Sequence, residues 1–202
     1  MRLIDVVSRG LPAAMLLGLL LSACTILPES PPRPDKHDLG PPPAAIAVDA
    51  GLPELALGSV QAPPWLRTSA VHYRRADLDD TGLHAYSRRQ WVAPPADLLG
   101  QRLAQRLAPV LVSVREGATL RLDLRLERFE QVFEREDKAD VVVQVRVSLR
   151  ETGQGGRHWQ ELFEIRQPAP GADGLGAVRG LAAASDELIE TLEAWLIEIE
   201  AR

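Results

Sequence analysis

Leu120-Arg121-Leu122-Asp123-Leu124-Arg125-Leu126-Glu127 is the stretch that decides the architecture. Leucine falls on every even position and charge on every odd one. Strand side chains point alternately to opposite faces, so this is a β-strand with one wholly apolar and one wholly charged face. The phase then slips, because Phe129 and Phe133 are odd, and this predicts a β-bulge near Glu127 and Arg128. After a charged turn at residues 134–138, Val141, Val143, Val145, Val147 and Leu149 alternate again. Gly153-Gln154-Gly155-Gly156 marks another turn, and residues 159–166 return as a third strand. Connections this short make the three strands an antiparallel meander.

Two helical patterns flank the meander. Upstream, Pro94-Pro95 introduce a helix in which Ala96, Leu99, Leu103 and Leu107 recur every three or four positions. Downstream, Leu181, Ala184, Leu188, Leu192, Trp195 and Ile199 form the stripe of a long helix over residues 175–201. Asp186, Glu187, Glu190, Glu193 and Glu198 fall mostly on its other side. One apolar sheet face and two apolar helix stripes have one economical solution. The expected fold is α+β: a two-layer domain, mainly an antiparallel sheet, with both amphipathic helices packed on one face. Shorter strands are expected before it, at residues 55–61, at residues 71–74 and 83–86 around the turn Asp79-Asp80-Thr81-Gly82, and at residues 36–39.

The N-terminus has a different character. Arg2 and Arg9 precede an apolar run from Leu11 to Leu21 that is too short to span a bilayer as a helix. The run closes on Leu21-Ser22-Ala23-Cys24, which resembles the lipobox of bacterial lipoprotein precursors, and Cys24 is the only cysteine. Residues 1–23 are therefore expected to be a cleaved signal peptide and Cys24 the lipidated N-terminus, holding the protein to a membrane. Two or three acyl chains, at about 0.8 kcal/mol per buried methylene, make such an anchor effectively permanent. Pro28, Pro31, Pro32 and Pro34 make residues 24–35 an extended tether with a reach of roughly 35 Å. Thr25, rather than aspartate, after the lipidated residue points to the outer membrane. The domain proper is expected over residues 36–202.

Charge and chemistry exclude more than they suggest. The chain carries a net charge of −5; removing residues 1–23 takes two arginines and one aspartate and leaves −6. An acidic chain with arginines dispersed among glutamates lacks the clustered positive surface that nucleic acid requires. His37, His72, His84 and His158 show no metal-ligand spacing, and the glycines at 171, 174 and 176 do not have phosphate-loop spacing. No serine sits in a nucleophile elbow. The acidic turn at residues 134–137 is a solvated tip with no burial to tune a carboxyl group. No catalytic, cofactor or metal site is expected. Two tryptophans are candidate partner contacts: Trp65, beside two prolines, and Trp91, although Trp91 fits a core position at the start of the first helix better. The Arg/Glu face of the decisive strand is ordinarily a solvated surface; a partner or a second copy of the chain, giving a homo-oligomer, is its candidate cover.

Several segments together carry a family resemblance. They are Leu57-Gly58-Ser59-Val60-Gln61-Ala62-Pro63-Pro64-Trp65-Leu66, Tyr73-Arg74, Tyr86 to Pro94 read as the lead into a helix, and Leu126-Glu127-Arg128-Phe129-Glu130. In this order behind a lipobox, over roughly residues 36–200, they resemble the ABC-type transport auxiliary lipoproteins. The chain departs at Pro64-Trp65, where the family usually has aspartate and tyrosine. The resemblance implies a non-enzymatic accessory subunit that works beside an ABC transporter with an MCE-domain protein, in lipid movement between two membranes. The competing expectation is a scaffold for a β-barrel or lipopolysaccharide assembly machine.

Overall fold

The computed structural model describes residues 33–47, 51–112, 120–153 and 155–200. Residues 1–32, which hold the expected signal peptide, Cys24 and most of the expected tether, lie outside the described residues. In chain order the strands are β1 (Asp35–His37), β2 (Leu55–Gln61), β3 (Ala70–Arg75), β4 (Leu83–Trp91), β5 (Leu120–Arg135), β6 (Lys138–Glu151) and β7 (His158–Pro168). The helices are α1 (Pro95–Arg106) and α2 (Gly174–Glu200), with short 3-10 turns at Pro64–Leu66 and Ala108–Val110.

The β5–β6 hairpin is the spine. Its register sets Leu122 opposite Leu149, Leu124 opposite Val147 and Leu126 opposite Val145. All six are buried. Each buried side chain of this size contributes about 1.5–3 kcal/mol, and a one-residue slip of either strand would turn its three to the charged face. The register is therefore fixed by burial. The expected bulge is present as a register shift between Leu126 and Arg128, and beyond it Phe129 faces the core.

β7 joins β6 antiparallel, completing the expected meander. The other edge of β5 is shared by two strands, both parallel to it. β2 pairs with the first half, from Leu120 to Arg125, and β3 with the second, from Glu130 to Phe133. Between them lies Pro63-Pro64, and proline has no N–H to offer a sheet ladder. β4 folds back antiparallel on β3, and β1 closes the far edge parallel to β4. The sheet is thus mixed: antiparallel in the meander and the β3–β4 hairpin, parallel where the early strands dock.

Two readings need correction. Tyr86 to Trp91 does not lead into the helix but continues β4, because β1 pairs Asp35–His37 with Arg89, Gln90 and Trp91. The Trp91 amide also donates to Ser69 O at 2.7 Å. The helix begins at Pro95, where the missing N–H has no partner to lose. The first strand spans Asp35–His37 rather than residues 36–39.

Both helices use the expected stripes. α1 buries Ala96, Leu99 and Leu103 and packs on β2 and β5; α2 buries Leu181, Ala184, Leu188 and Leu192 over β5, β6 and β7. α2 comes so close at Gly180 that a Cβ there would fall 2.7 Å from Val141 Cγ1. Trp195 is half-buried, edge-on to Phe163 with ring centroids 5.8 Å apart. Glu193 departs from its expected place: it is buried, facing α1. With both helices on the leucine face, the arginine and carboxylate face of β5 and β6 has no helix over it.

Candidate functional site

The two candidate contact residues have opposite fates. The turn Pro64–Leu66 is pinned by Leu66, which is 2% exposed, and by the Leu66 amide donating to Pro63 O at 3.0 Å. Trp65, between these anchors, stands 57% exposed. An indole carried on a proline-stiffened turn leaves the backbone beneath it little freedom to lose on contact, which suits an interface anchor. Trp91 is 1% exposed, with its ring edge-on to Phe129 at 5.6 Å. Its role as a partner contact is withdrawn: presenting it would mean opening the core. Cys24 lies outside the described residues.

The histidines stay apart, and among the described residues no three metal-ligating side chains converge. His72 is buried on the outer face near Glu130; burial lowers its pKa, and the Glu130 charge opposes that in part. His84 stacks on Tyr73 with ring centroids 5.2 Å apart. His158 Nε2 lies 2.9 Å from Ser148 Oγ, a serine–histidine pair that the sequence did not reveal because its members sit on β6 and β7. Among the described residues no carboxylate bonds the other ring nitrogen, so the triad arrangement is incomplete.

A cleft of about 580 Å³ opens where α2 begins, between Tyr73, Tyr86, Phe133, Arg75, Arg88 and Leu175. Burial pushes the Tyr86 phenol well above its ordinary value, and its hydroxyl donates to Gln131 Oε1 at 2.5 Å. Arg75 lies over the Phe133 ring at 5.4 Å and pairs with Asp77 at 2.7 Å. Arg89 is matched by Asp35. The arginines around this cleft are thus largely neutralised by their own neighbours.

Two further arginines bind the layers together. Arg102 donates to Asp186 at 2.5 and 2.7 Å and to Gly40 O at 3.2 Å. Arg106 donates to Glu193 at 2.6 and 3.0 Å and to Ala44 O at 2.5 Å. Each guanidinium therefore ties α1 to α2 and to the chain that leads in from β1. Four-residue spacing of Arg102 and Arg106 was the available signal, since it puts both on one side of α1 beside the leucine stripe.

The sequence model of the ABC-type transport auxiliary lipoprotein component family matches residues 37–193. The chain belongs to this family. Its fold agrees with a crystal structure of a Xanthomonas campestris protein, at a TM-score of 0.65 and 15% identity over 83% of this chain and 96% of that one. A second solved structure, of an uncharacterized protein, aligns at a TM-score of 0.62 and 16% identity over 81% of this chain and 98% of that one. No curated protein matches the chain. The match begins at the last residue of β1 and ends in α2, so the family unit takes in β2 to β7, α1 and most of α2.

Proposed function

We propose that this auxiliary lipoprotein is a non-enzymatic accessory subunit of an MCE-type ABC transport system, docking or stabilising the machinery that moves lipids between the inner and outer membranes. In this reading Cys24 carries the acyl chains, the proline-rich tether stands the domain off the periplasmic face of the outer membrane, and the domain engages the MCE-domain protein. The observation that carries it is the family match across residues 37–193. Trp65 supports it: a large exposed indole on a stiff turn is a feature of recognition surfaces. Anchoring raises the local concentration of one partner, so weak binding in solution is compatible with a firm assembly at the membrane.

The test is photocrosslinking in intact cells from a photoreactive residue in place of Trp65, joined to measurement of outer-membrane lipid balance in a deletion strain. Capture of the MCE-domain protein encoded nearby and a disturbed lipid balance are expected. Capture of a β-barrel assembly component alone, with lipid balance unchanged, would overturn the reading.

A further inference from the structure

We propose that the outer face of β5 and β6 is a docking site for an acidic, extended segment of a partner protein, gripped by the cross-strand arginine pairs Arg121–Arg150 and Arg125–Arg146. The proposal deepens the docking reading above and rests on it.

The register creates the site. Arg121 lies directly opposite Arg150, and Arg125 directly opposite Arg146. Like charges facing each other across a strand pair destabilise a sheet, so folding alone gives no reason for two such pairs on adjacent strands. Their compensation is incomplete. Asp123 serves both Arg121, at 3.1 Å, and Arg150, at 2.6 Å. Glu127 takes Arg146 at 2.8 Å. The Arg125 side chain has no ion pair or hydrogen bond among the described residues and stands exposed. Four guanidinium groups thus meet two carboxylates, a local excess of positive charge on a chain whose net charge is −5.

The groups also line a depression of about 410 Å³ on the sheet surface, with Ser148 and His158 on one side and Ser59 and Gln61 on the other. The arginine side chains remain half-exposed there, 44% for Arg121, 47% for Arg146 and 53% for Arg150. Asp123 is held in place from below. Its Oδ1 accepts the Ser59 amide at 3.2 Å, and Gly58 makes room, because a Cβ at that position would fall 2.0 Å from Oδ1.

Spacing selects the occupant. Within each strand the arginines are four residues apart, about 13 Å. Acidic side chains four apart on one face of an extended peptide have that same separation, and carboxylates accept the guanidinium fork in two parallel hydrogen bonds. A lipid bilayer surface fits less well, since the Asp123 and Glu127 carboxylates stand between the arginines and would meet a continuous layer of phosphates. Leu162, 41% exposed and opposite Arg146 in the register, offers such a peptide an apolar contact at the rim.

The test uses the full lipoprotein in detergent and a fluorescent synthetic peptide with glutamates four residues apart in a threonine–valine background. Controls are the same peptide with glutamine and vesicles of phosphatidylglycerol. Wild type should bind the glutamate peptide, more weakly as salt rises. Arg125→Glu should weaken that binding about tenfold or more, as loss of a steering charge pair does. Because the Arg125 side chain has no ion pair or hydrogen bond to lose, and the variant relieves its repulsion with Arg146, its Tm should be no lower than that of wild type; Arg125→Lys should retain most of the binding. Equal binding by wild type and Arg125→Glu, or equal binding of the glutamine peptide, overturns the proposal. So does an Arg125→Glu loss confined to the vesicles. In cells, a photoreactive residue in place of Gln61, which lines the depression beside Arg125, should capture the partner with all four arginines intact. Capture of the MCE-domain protein from position 65 but of nothing from position 61 defeats the docking face and leaves the function standing. Capture of another acidic protein from position 61, with the MCE-domain protein captured from neither, defeats the function and leaves the docking face.

Discussion

Glu193→Ala separates the structure from the helical wheel more sharply than any core truncation. On the wheel Glu193 belongs with Glu187 and Glu190 on the solvated side of α2, where removing a charge changes almost nothing. In the fold it holds Arg106 through two hydrogen bonds at 2.6 and 3.0 Å, with side-chain exposures of 22% for Arg106 and 12% for Glu193. Exposed ion pairs contribute about 0.2–1 kcal/mol, whereas removing one member of a fully buried pair costs about 3–5 kcal/mol. This pair lies between those limits, so a loss of about 2 kcal/mol is expected. For a domain of this size that lowers Tm by about 4–8 °C. Glu190→Ala, fully on the solvated side, should stay within about 2 °C of wild type. The cause is a half-buried guanidinium stripped of the carboxylate it hydrogen-bonds, so the double variant Arg106→Met with Glu193→Leu should recover most of the loss. Thermal melts of the mature lipoprotein in detergent, followed by far-ultraviolet circular dichroism, measure all three. If Glu193→Ala and Glu190→Ala melt together, the α1–α2 clamp is not the contact described.

Other perturbations reach other parts of the chain. Leu188→Glu places a carboxylate at a position 2% exposed and should cost at least the ~2–5 kcal/mol of a core truncation, while Glu187→Ala changes little; equal melts for both would mean a wrong helix phase. At Asp123 burial alone would raise the carboxyl pKa, but hydrogen bonds from Arg121, Arg150 and the Ser59 amide outweigh it and hold the group below its ordinary value. Its stabilising contribution is therefore complete above pH about 4 and is lost as pH falls through the lower folded value. Wild type and Asp123→Asn should accordingly converge in stability as the solution is acidified, and a gap that widens on acidification would contradict the assignment. Cys24→Ser should abolish incorporation of labelled palmitate, and a labelled variant would sink the lipoprotein assignment at that residue.

Much of the fold was legible because local pattern and tertiary demand agree. Period two in β5 and β6, fourfold spacing in α1 and α2, and glycine turns between strands each name an element whose apolar side the others then cover. The bulge was readable for the same reason, since a phase slip from Leu126 to Phe129 has one simple structural cause. The parallel docking of β2 and β3 on β5 was not. Those pairings join residues that lie far apart in the sequence, and no local period distinguishes a parallel edge from an antiparallel one. Tyr86 to Trp91 failed as a helix lead for a related reason: its strand state depends on Asp35–His37 arriving beside it from far upstream.

What the sequence hides most completely is the division of labour within one charge class. Arg102, Arg106, Arg121 and Arg125 read alike in a chain where arginines are scattered among acids. Folding sorts them. Arg102 and Arg106 face α2, each against a single carboxylate and a backbone carbonyl, so their charge is used up in joining the layers. Arg121 and Arg125 face away from both helices, and the β5–β6 register sets further arginines against them. The difference follows from the strand period, which gives odd positions of β5 to the outer face, and from the helix period, which turns Arg102 and Arg106 toward α2. A protein that needed only solubility on that outer face would do better with alternating signs across the strands, as Glu127 beside Arg146 already shows is attainable. The unmatched arginine at position 125 is therefore the place where stability and recognition pull apart, and it is the position at which a single charge reversal tests recognition while leaving the core untouched.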